Sequence, residues 1–266
     1  MQTALRSSPP AIEISGLSKS FSSAAGTVRA VEDLSLTVEE GEFVSIVGPS
    51  GCGKSTVLNI VASFIEATSG VVRVGGETHQ DRVPEGLGYI FQKDTLLPWY
   101  TVRKNVGLGL AFKGMSKDEM HAEVDGLLEL GHLTGFADHY PHQLSGGMRR
   151  RVALLMSLAV KPKILLLDEP FSALDTHTRT HMHTELLEIW RKLRQTVVLV
   201  THDLDEAITL STRVIVLSRP PSQILMDKKI DIPHPRDVYN LREQDIFSQY
   251  YKEIWGVLSA QFRKDF

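Results

Sequence analysis

Eight residues at positions 48–55 have the types and spacing that hold a phosphate chain. They read Gly-Pro-Ser-Gly-Cys-Gly-Lys-Ser and match the pattern G-x-x-x-x-G-K-[ST]. Glycines let the backbone turn so that successive N–H groups face one anion, and the following helix points its positive N-terminus at the same place. Lys54 supplies a charge for the β- and γ-phosphates, and the Ser55 hydroxyl can bind Mg²⁺. The pattern therefore predicts a phosphate-binding loop, which we call the P-loop (residues 48–55).

Two carboxylates after an apolar run are the candidates for Mg²⁺ binding and for catalysis. Residues 164–167 predict a buried strand, and Asp168 and Glu169 follow it directly. Asp168 would lie at the carboxyl edge of the sheet, where α/β proteins bind ligands, and it is predicted to hold Mg²⁺ through water. Neighbouring strand residues face opposite sides, so Glu169 points elsewhere. Glu169 is the candidate base that orients or deprotonates an attacking water.

Two polar side chains that follow other predicted strands complete the candidate site. His202 comes directly after residues 196–201, and an imidazole at that strand end could contact the γ-phosphate. Gln92 follows residues 87–91 and could complete the Mg²⁺ shell or position the water. Cys52 is interpreted as a small side chain of the P-loop, because no His–Asp pair near it would make it a nucleophile.

The elements that must position these side chains alternate between short apolar strands and helices. This alternation predicts an α/β fold with a mainly parallel core sheet. The predicted strands are 11–21, 28–38, 42–47, 68–76, 87–91, 164–167, 196–201 and 213–217. The predicted helices are 56–64, 116–130, 146–160, 177–194, 203–211 and 241–264. Ser116, three residues before Glu119, predicts a capping box at the start of one helix.

The same pattern divides the chain into four parts. We expect a loose N-terminal tail over residues 1–10 and an ATP-binding α/β core made of residues 11–91 and 161–218. Residues 92–160 are expected to form a helical subdomain inserted into that core, and residues 219–266 a helical C-terminal tail.

Composition limits the classes of protein that fit. The chain has 266 residues, of which 42% are hydrophobic and 23% charged, so wholesale disorder is excluded. The net charge of −3 argues against a broad nucleic-acid-binding surface. The sequence contains no run of the roughly 20 apolar residues that cross a bilayer, and residues 1–10 lack a hydrophobic signal core. We therefore expect a cytoplasmic protein that reaches a membrane only through a partner.

Three histidines on one predicted helix invite a metal interpretation. His177 and His181 are four residues apart and would share a helix face, and His183 follows on the same predicted helix. A third ligand at suitable spacing is missing from the sequence, as is the HExxH pattern. An exposed helix face is the interpretation that we favour.

Residues 145–148 predict a second anion site. Ser145 is a good N-cap, and Gly146, Gly147 and Met148 follow it at the start of a predicted helix. Such a helix N-terminus can bind an anion. One mononucleotide does not need two such cradles from one chain, whereas two chains that sandwich ATP would use both.

With this segment, the chain resembles the nucleotide-binding subunit of an ATP-binding cassette (ABC) transporter over about residues 11–218. The motifs occur in the family's order: the P-loop resembles Walker A, Gln92 the Q-loop glutamine, residues 144–148 the signature, and residues 164–169 Walker B. Residues 172–175, ending at Asp175, resemble the D-loop, and His202 resembles the switch histidine. Phe21 stands where the family has the aromatic residue that stacks on adenine.

The resemblance implies a P-loop ABC fold with an antiparallel β edge and a head-to-tail homodimer with two composite sites. It implies ATP contacts from Phe21, Gly48, Pro49, Ser50, Gly51, Cys52, Gly53, Lys54, Ser55 and Thr56. It implies Mg²⁺ ligands among Ser55, Gln92 and Asp168, and it implies that Ser145, Gly146, Gly147 and Met148 face the opposite subunit's ATP. The implied partners are two integral-membrane permease subunits and, indirectly, an extracytoplasmic solute-binding protein. The implied location is the cytoplasmic face of the membrane.

Several positions resemble one branch of the family. Met148 stands where Gln is usual, which is similar to the importers of nitrate, sulfonate and taurine, as are residues 91–99 and 217–221. Arg150 also departs from the family pattern, because a second Gln is frequent there. Residues 96–100 read Leu-Leu-Pro-Trp-Tyr, and we expect them to form part of the groove that receives a helix of the permease, with local core packing as the alternative.

Two other classes of protein remain as alternatives. A soluble ABC ATPase that acts on the ribosome or on DNA would share these motifs, although such relatives usually carry two cassettes or a split one. An unrelated P-loop kinase or GTPase would share the P-loop but not the signature at residues 144–148 or the histidine at position 202.

Overall fold

Strands and helices alternate along most of the chain. The computed structural model describes residues 9–23, 26–79, 82–93, 95–172 and 174–262. The strands in these residues are β1 (Ile12–Ser23), β2 (Gly26–Val38), β3 (Phe43–Val47), β4 (Ser69–Val74), β5 (Glu77–Thr78), β6 (Leu87–Ile90), β7 (Ile164–Asp168), β8 (Thr196–Thr201), β9 (Arg213–Leu217) and β10 (Ile224–Lys229). The α-helices are α1 (Lys54–Val61), α2 (Val102–Phe112), α3 (Lys117–Leu130), α4 (Gly146–Ala159), α5 (Thr176–Leu193), α6 (Leu204–Leu210) and α7 (Asp245–Phe262).

A six-stranded sheet forms the centre of the fold, in the order β10-β9-β3-β8-β7-β6. All neighbouring strands are parallel except β10, which pairs antiparallel with β9 at the edge. Every residue of β3, β7 and β8 is buried, as expected of parallel strands that helices cover on both faces. The predicted α/β fold with a mainly parallel core sheet is confirmed.

Strand register brings the candidate residues to one edge of this sheet. Val47, the last residue of β3, pairs with Thr201 at the end of β8, and Asp168 of β7 pairs with Val200. The residues that follow these three strands therefore leave the sheet side by side. The P-loop, Glu169 and His202 are three such segments, although 154 residues separate the first of them from the last in sequence, counted from position 48 to position 202.

A second sheet is antiparallel, in the order β2-β1-β4-β5. Its inner residues form a hydrophobic cluster with α1 and with the face of the core sheet that α1 covers. Val31 of β2 pairs with Lys19 of β1. A Cβ added to Gly53 of the P-loop would lie 3.2 Å from the Val31 side chain, so the β1–β2 hairpin packs directly against the P-loop.

Helices α2, α3 and α4 lie between β6 and β7 in sequence and pack on the opposite face of the core sheet. Their buried side chains share one cluster with α5 and with Phe43 of β3. The predicted capping box of α3 is confirmed: Glu119 N–H donates to Ser116 Oγ at 3.4 Å, and Ser116 N–H donates to Glu119 Oε2 at 3.2 Å. Within the described residues, no helix combines the length and apolarity that a membrane span requires.

The structure contains elements that the sequence patterns did not predict. Helix α2 contains Gly107 and Gly109, which lower helix propensity, yet a Cβ at Gly109 would lie 2.4 Å from Val160 Cγ1. The second glycine is therefore needed for close packing against the end of α4. The short strand β5 also escaped prediction.

The C-terminal segment is not wholly helical, contrary to the expectation for residues 219–266. It begins with β10, whose Asp227 Oδ1 accepts a hydrogen bond from Arg213 Nε at 2.7 Å. The charged Asp-Lys-Lys run therefore belongs to a strand that pairs at the sheet edge, although its composition is typical of a loop. Helix α7 then packs on α6 and β9 through Phe247, Ile254 and Leu258. The last predicted positions, 263–266, lie outside the described residues, as do positions 1–8 of the predicted N-terminal tail.

Candidate active site

The P-loop connects β3 to α1, which is the strand–loop–helix context that its pattern requires. Gly51 and Gly53 have φ angles of +74° and +97°, a region that side chains disfavour. At position 48, a glycine is required for steric reasons rather than by the backbone angles. An added Cβ would lie 2.8 Å from Cys52 Sγ and 3.1 Å from the Leu217 carbonyl oxygen. The loop thus leaves its backbone bare where an anion has to approach.

Lys54 lies inside this loop with only 5% of its surface exposed. Its Nζ donates to the carbonyl oxygens of Gly48 and Pro49 at 2.8 and 3.0 Å. Cys52 Sγ lies 3.9 Å from the same Nζ, and burial raises the pKa of the Cys52 thiol. A protonated, fully buried thiol fits the interpretation of Cys52 as a packing residue rather than a nucleophile.

Ser55 and Asp168 lie in direct contact. Ser55 Oγ donates to Asp168 Oδ1 at 2.7 Å, although the two residues come from the P-loop and from the end of β7. Burial raises the pKa of the Asp168 carboxyl, and the hydrogen bond from Ser55 opposes that rise. A hydroxyl and a carboxylate offer the hard oxygen ligands that Mg²⁺ prefers, so this pair fits the ion.

Tyr89 is a residue of this site that the sequence patterns missed. Its hydroxyl lies 3.0 Å from Asn59 Oδ1 and 3.4 Å from Asp168 Oδ2, so Asp168 has a polar neighbour on each oxygen. Burial, followed by the Asp168 charge, raises the pKa of Tyr89. The available signal was a single hydroxyl in an otherwise apolar strand, one strand away from Asp168.

Glu169 accepts contacts from both Gln92 and His202 on a single oxygen. Gln92 Nε2 donates to Glu169 Oε2 at 3.0 Å, and His202 Nδ1 lies 3.3 Å from the same atom. The neighbours of Glu169 differ from those of Asp168. Since β7 ends at Asp168, the left-handed backbone of Glu169, rather than strand alternation, sets the direction of its side chain. Two side chains that follow two other strands therefore meet at the Glu169 carboxylate.

The backbone of Glu169 is strained. Its φ angle is +44°, which residues with a side chain rarely adopt and which costs about 1–3 kcal/mol. The Glu169 N–H donates to the Val200 carbonyl at 2.9 Å, and the Glu169 carbonyl accepts a bond from Ser172 Oγ at 3.1 Å. Bonds on both sides of the residue hold this conformation and keep the carboxylate aimed at Gln92 and His202.

The second predicted anion site caps α4. Ser145 Oγ accepts a hydrogen bond from Met148 N–H at 3.2 Å, and α4 begins at Gly146. A Cβ at Gly147 would lie 2.4 Å from Thr178 Cγ2 of α5, so the first turn of α4 packs closely on the first turn of α5. These contacts join the segment to its own helix and to α5 rather than to the P-loop of the same chain.

Asp175 caps α5 beside that contact. Its Oδ1 accepts a hydrogen bond from Thr178 N–H at 3.0 Å, and this bond lowers the pKa of the Asp175 carboxyl. Ala173, within the predicted D-loop, lies outside the described residues. The two helix caps at Ser145 and Asp175 thus meet through Thr178.

Comparison with known proteins identifies the fold and the family. The profile of the family described as ABC transporter matches residues 31–172, which span the P-loop, Asp168 and Glu169. The chain belongs to the ABC transporter family. It is therefore an ATPase of the ATP-binding cassette type, as the order of its motifs implied.

Similar proteins cover the cassette nearly end to end. An uncharacterized ABC transporter ATP-binding protein of Methanocaldococcus jannaschii is 42% identical over 95% of this chain and 93% of its own length. The nitrate import ATP-binding protein NrtD of Synechocystis sp. is 39% identical over 94% and 96%. The aliphatic sulfonates import ATP-binding protein SsuB of Bacillus cereus is 40% identical over 91% and 94%.

A solved cassette has the same fold. The dimeric structure of an ATP-binding cassette in a post-hydrolysis state, bound to ADP and Pi, superposes with a TM-score of 0.74. It is 33% identical and covers 84% of this chain and all of its own. The predicted ABC fold, with its antiparallel β edge and inserted helices, is confirmed.

Phe21 lies near the end of the β1–β2 hairpin at which Ser23 pairs with Gly26. It is 44% exposed, pairs with Val28, and has Lys19 Nζ 5.1 Å from its ring centre.

Arg179 is a second residue that the sequence patterns missed. Its Nη1 donates to Asp203 Oδ2 at 2.9 Å, and its Nη2 donates to the Leu174 carbonyl at 2.9 Å. Asp203 follows His202, and Leu174 precedes Asp175, so one guanidinium joins the predicted D-loop to the segment that carries His202. The face of α5 that carries the histidines is expected from the sequence to be exposed. That expectation is wrong for His183, which is buried with only 5% of its surface exposed.

Proposed function

We propose that two copies of this cassette bind ATP head to tail, with the P-loop of one copy facing residues 145–148 of the other. The single observation that carries this proposal is the meeting of Gln92 and His202 at one oxygen of Glu169, on the sheet edge where the P-loop lies. The dimeric state of the solved relative bound to ADP and Pi supports it. Residues 11–91 and 161–218 then act as the ATP-binding core, and residues 92–160 as the subdomain that carries the signature.

The phosphates of ATP occupy the P-loop in this proposal. Lys54 exchanges its two carbonyl partners for β- and γ-phosphate oxygens, which are stronger acceptors for an ammonium. Backbone and side-chain contacts come from Gly48, Pro49, Ser50, Gly51, Cys52, Gly53, Ser55 and Thr56, while Phe21 stacks on adenine. Ser145, Gly146, Gly147 and Met148 approach the γ-phosphate from the second copy, and Asp175 lies beside them.

Ser55, Asp168 and Gln92 are the residues that would hold Mg²⁺ with the bound nucleotide. Ser55 and Asp168 already touch, and Gln92 lies on the neighbouring strand end. When bound, the ion neutralises charge on the phosphates. Tyr89 holds the second Asp168 oxygen from the side of the sheet.

Glu169 acts as the general base in the hydrolysis step. It takes a proton from a water whose oxygen forms a bond to the γ-phosphorus as the bond to the ADP oxygen breaks. Gln92 restricts the rotation of the Glu169 carboxylate, and His202 contacts both this carboxylate and the γ-phosphate. The products are ADP and inorganic phosphate.

The transport role follows from the relatives. Because similar proteins are named for nitrate and aliphatic sulfonate import, we propose that this cassette drives uptake of a small solute of the nitrate, sulfonate or taurine kind through a separate permease of two integral-membrane subunits. A solute-binding protein outside the cytoplasm delivers the solute, and the cassette sits peripherally at the cytoplasmic face. Trp99, which is 67% exposed, belongs to the surface that receives a permease helix.

The catalytic assignment is tested with Glu169→Gln. We expect ATP binding to persist while turnover falls about 10²–10⁴-fold, the range that general bases contribute. Glu188→Gln makes the same chemical change on the exposed side of α5 and should leave turnover unaltered. Lys54→Ala should instead weaken ATP affinity. Unchanged turnover in Glu169→Gln would remove Glu169 from the mechanism.

The transport assignment is tested by affinity capture from the source organism's solubilised membranes. The tagged Glu169→Gln variant is loaded with ATP to hold the closed dimer, and bound proteins are identified by mass spectrometry. A multi-span membrane protein is expected, and Trp99→Ala should reduce its recovery. Phe112→Ala, which removes a still more exposed aromatic ring at the end of α2, should not. Ribosomal or DNA-repair proteins without a membrane protein would refute the transport role.

A further inference from the structure

Arg150 of α4 contacts the backbone of the Q-loop. Its Nη1 donates to the Phe91 carbonyl at 2.9 Å, and its Nη2 donates to the Gln92 carbonyl. A guanidinium carries its N–H groups in a rigid planar fork, so it can bind two successive carbonyls at once. The residue that departs from the family pattern therefore makes a contact that suits an arginine.

The contacted segment has left the core sheet. The pairing of β6 with β7 ends at Ile90 and Leu167, so the Gln92 carbonyl lies beyond the strand ladder. Phe91 packs on Phe64 with ring centres 5.7 Å apart and planes 12° apart, which holds the near end of the segment to the core. Arg150 holds the backbone of Gln92 from the opposite side, on α4.

The side chain of the same glutamine reaches the candidate base. Gln92 Nε2 donates to Glu169 Oε2 at 3.0 Å, so the place of its backbone sets where this amide lies. Arg150 follows Ser145 by five residues on one helix, which is about 7.5 Å along the helix axis at 1.5 Å per residue. A displacement of the first turn of α4 therefore reaches the Gln92 backbone through a rigid element.

We propose that Arg150 is a positioning residue that sets the distance between Gln92 and Glu169 and makes it depend on the position of α4. This inference rests on the proposed function, in which residues 145–148 contact ATP held by the second copy. Arrival of that nucleotide at the N-terminus of α4 then changes the contact between Gln92 and the base in the first copy. Arg150 itself touches neither substrate nor the reacting atoms.

The test is a double-mutant cycle on ATP turnover. Arg150→Met keeps most of the side-chain volume and removes both donors, and Gln92→Ala removes the group on which Arg150 is proposed to act. We expect Arg150→Met to lower kcat about tenfold, since hydrogen bonds from a charged group change equilibria by that order, and to leave KM for ATP within about twofold. In the Gln92→Ala background, Arg150→Met should have no further effect on kcat.

Three further variants separate positioning from loss of stability. Arg150→Lys keeps one charged donor and should recover part of kcat, whereas Arg150→Gln should recover less. Arg151→Met removes the neighbouring arginine, whose Nε lies 3.1 Å from Glu185 Oε2 in the buried part of α5. Its effect on kcat should be the same with and without Gln92. Equal loss of kcat for Arg150→Met in both backgrounds, or no loss in either, would overturn the proposal.

Hydrogen exchange gives a readout that does not depend on turnover. Without nucleotide, Arg150→Met should raise amide exchange in a peptide spanning residues 89–97 and leave a peptide spanning residues 196–201 unchanged. Absence of that increase would refute the contact itself. Normal turnover in Gln92→Ala together with raised exchange would instead refute the proposed role of Gln92, and with it the kinetic effect of Arg150, while the contact would stand.

Discussion

Replacing His183 with leucine should remove a large part of the folding stability of this cassette. His183 of α5 and Glu206 of α6 are 5% and 4% exposed, and His183 Nε2 lies 3.0 Å from Glu206 Oε1. The imidazole also lies edge-on to Phe171, with ring centres 5.0 Å apart. Leucine can fill the space beside Phe171, but it leaves the Glu206 carboxylate buried without its polar partner.

The size of the loss follows from that burial. Removing one partner of a buried polar pair costs about 3–5 kcal/mol, because the remaining charge has lost its solvent and its partner together. A typical domain has only about 5–15 kcal/mol of net stability. At about 2–4 °C per kcal/mol for a protein of this size, the melting temperature should fall by about 6–20 °C.

The measurement is calorimetry of three variants beside the parent protein. His183→Leu should be strongly destabilised, and so should Glu206→Leu. The double variant should return to within about 1–2 kcal/mol of the parent, since a buried polar pair can be exchanged for apolar side chains at little cost. A single variant that melts within about 2 °C of the parent, or a double variant as unstable as the sum of the two, would refute the reasoning.

Three other predictions concern the site, the helical packing and the pH dependence. Tyr89→Phe keeps the aromatic ring and should weaken ADP binding in the presence of Mg²⁺ about 2–10-fold, as loss of one hydrogen bond implies, without affecting binding in its absence. Titration calorimetry with and without Mg²⁺ checks this, and equal losses would contradict it. Gly109→Ala should cost about 1–3 kcal/mol because its Cβ overlaps Val160, whereas Gly126→Ala, in open space on α3, should gain up to about 1 kcal/mol; urea unfolding measures both. Burial lowers the pKa of His234 to about 4, so the unfolded chain binds the extra proton and stability should fall as the pH drops from about 6.5 towards 4; in His234→Phe the fall should be smaller.

The parts of the site that sequence could predict are those that local patterns encode. The P-loop needs its glycines within eight residues, and the end of β7 is marked by an apolar run that changes abruptly to Asp168 and Glu169. Alternation along a strand predicted different directions for those two carboxylates. Their neighbours do differ, but the cause is the left-handed backbone of Glu169 just after β7. Parallel strand pairing then predicts that these segments lie close together, since it brings the carboxyl ends of the strands to one edge of the sheet.

The parts that sequence could not predict are contacts between distant segments. Nothing local marks Tyr89 as the partner of Asp168, because the hydroxyl reaches it from the adjacent strand β6, 79 residues away in sequence. The histidines of α5 have a similar explanation: helical spacing predicts which residues share a face, but not which face the neighbouring α6 covers. His183 is buried by that packing, which the spacing alone does not reveal.

The same limitation applies to strand β10 and to helix α2. The Asp-Lys-Lys run of β10 has the composition of a loop, and its pairing depends on Arg213 of the adjacent strand, which binds Asp227 with two of its nitrogens. Helix α2 contains two glycines that weaken it locally, and tertiary packing against α4 outweighs that weakness. The stabilising partner lies 14 residues away for Asp227 and 51 residues away for Gly109, beyond the few residues that a local pattern covers.

Coupling between the two proposed ATP sites depends on the contacts that join α4, α5 and α6 to the segments around Glu169. Thr178 lies between Gly147 of the signature and the Asp175 cap, so α4 and α5 meet at their first turns. Arg179, one residue further along α5, binds both the D-loop backbone at Leu174 and Asp203 beside the switch histidine.

One turn later, His183 joins α5 to α6 again, so the two helices are held at two levels and should move as one unit. Arg150 joins α4 to the Q-loop by a separate path. Glu169 is therefore approached from both sides, by Gln92 through α4 and by His202 through α5 and α6. A nucleotide at the N-terminus of α4 can thus affect both neighbours of the base, while the strained backbone of Glu169 itself stays fixed by its bonds to Val200 and Ser172.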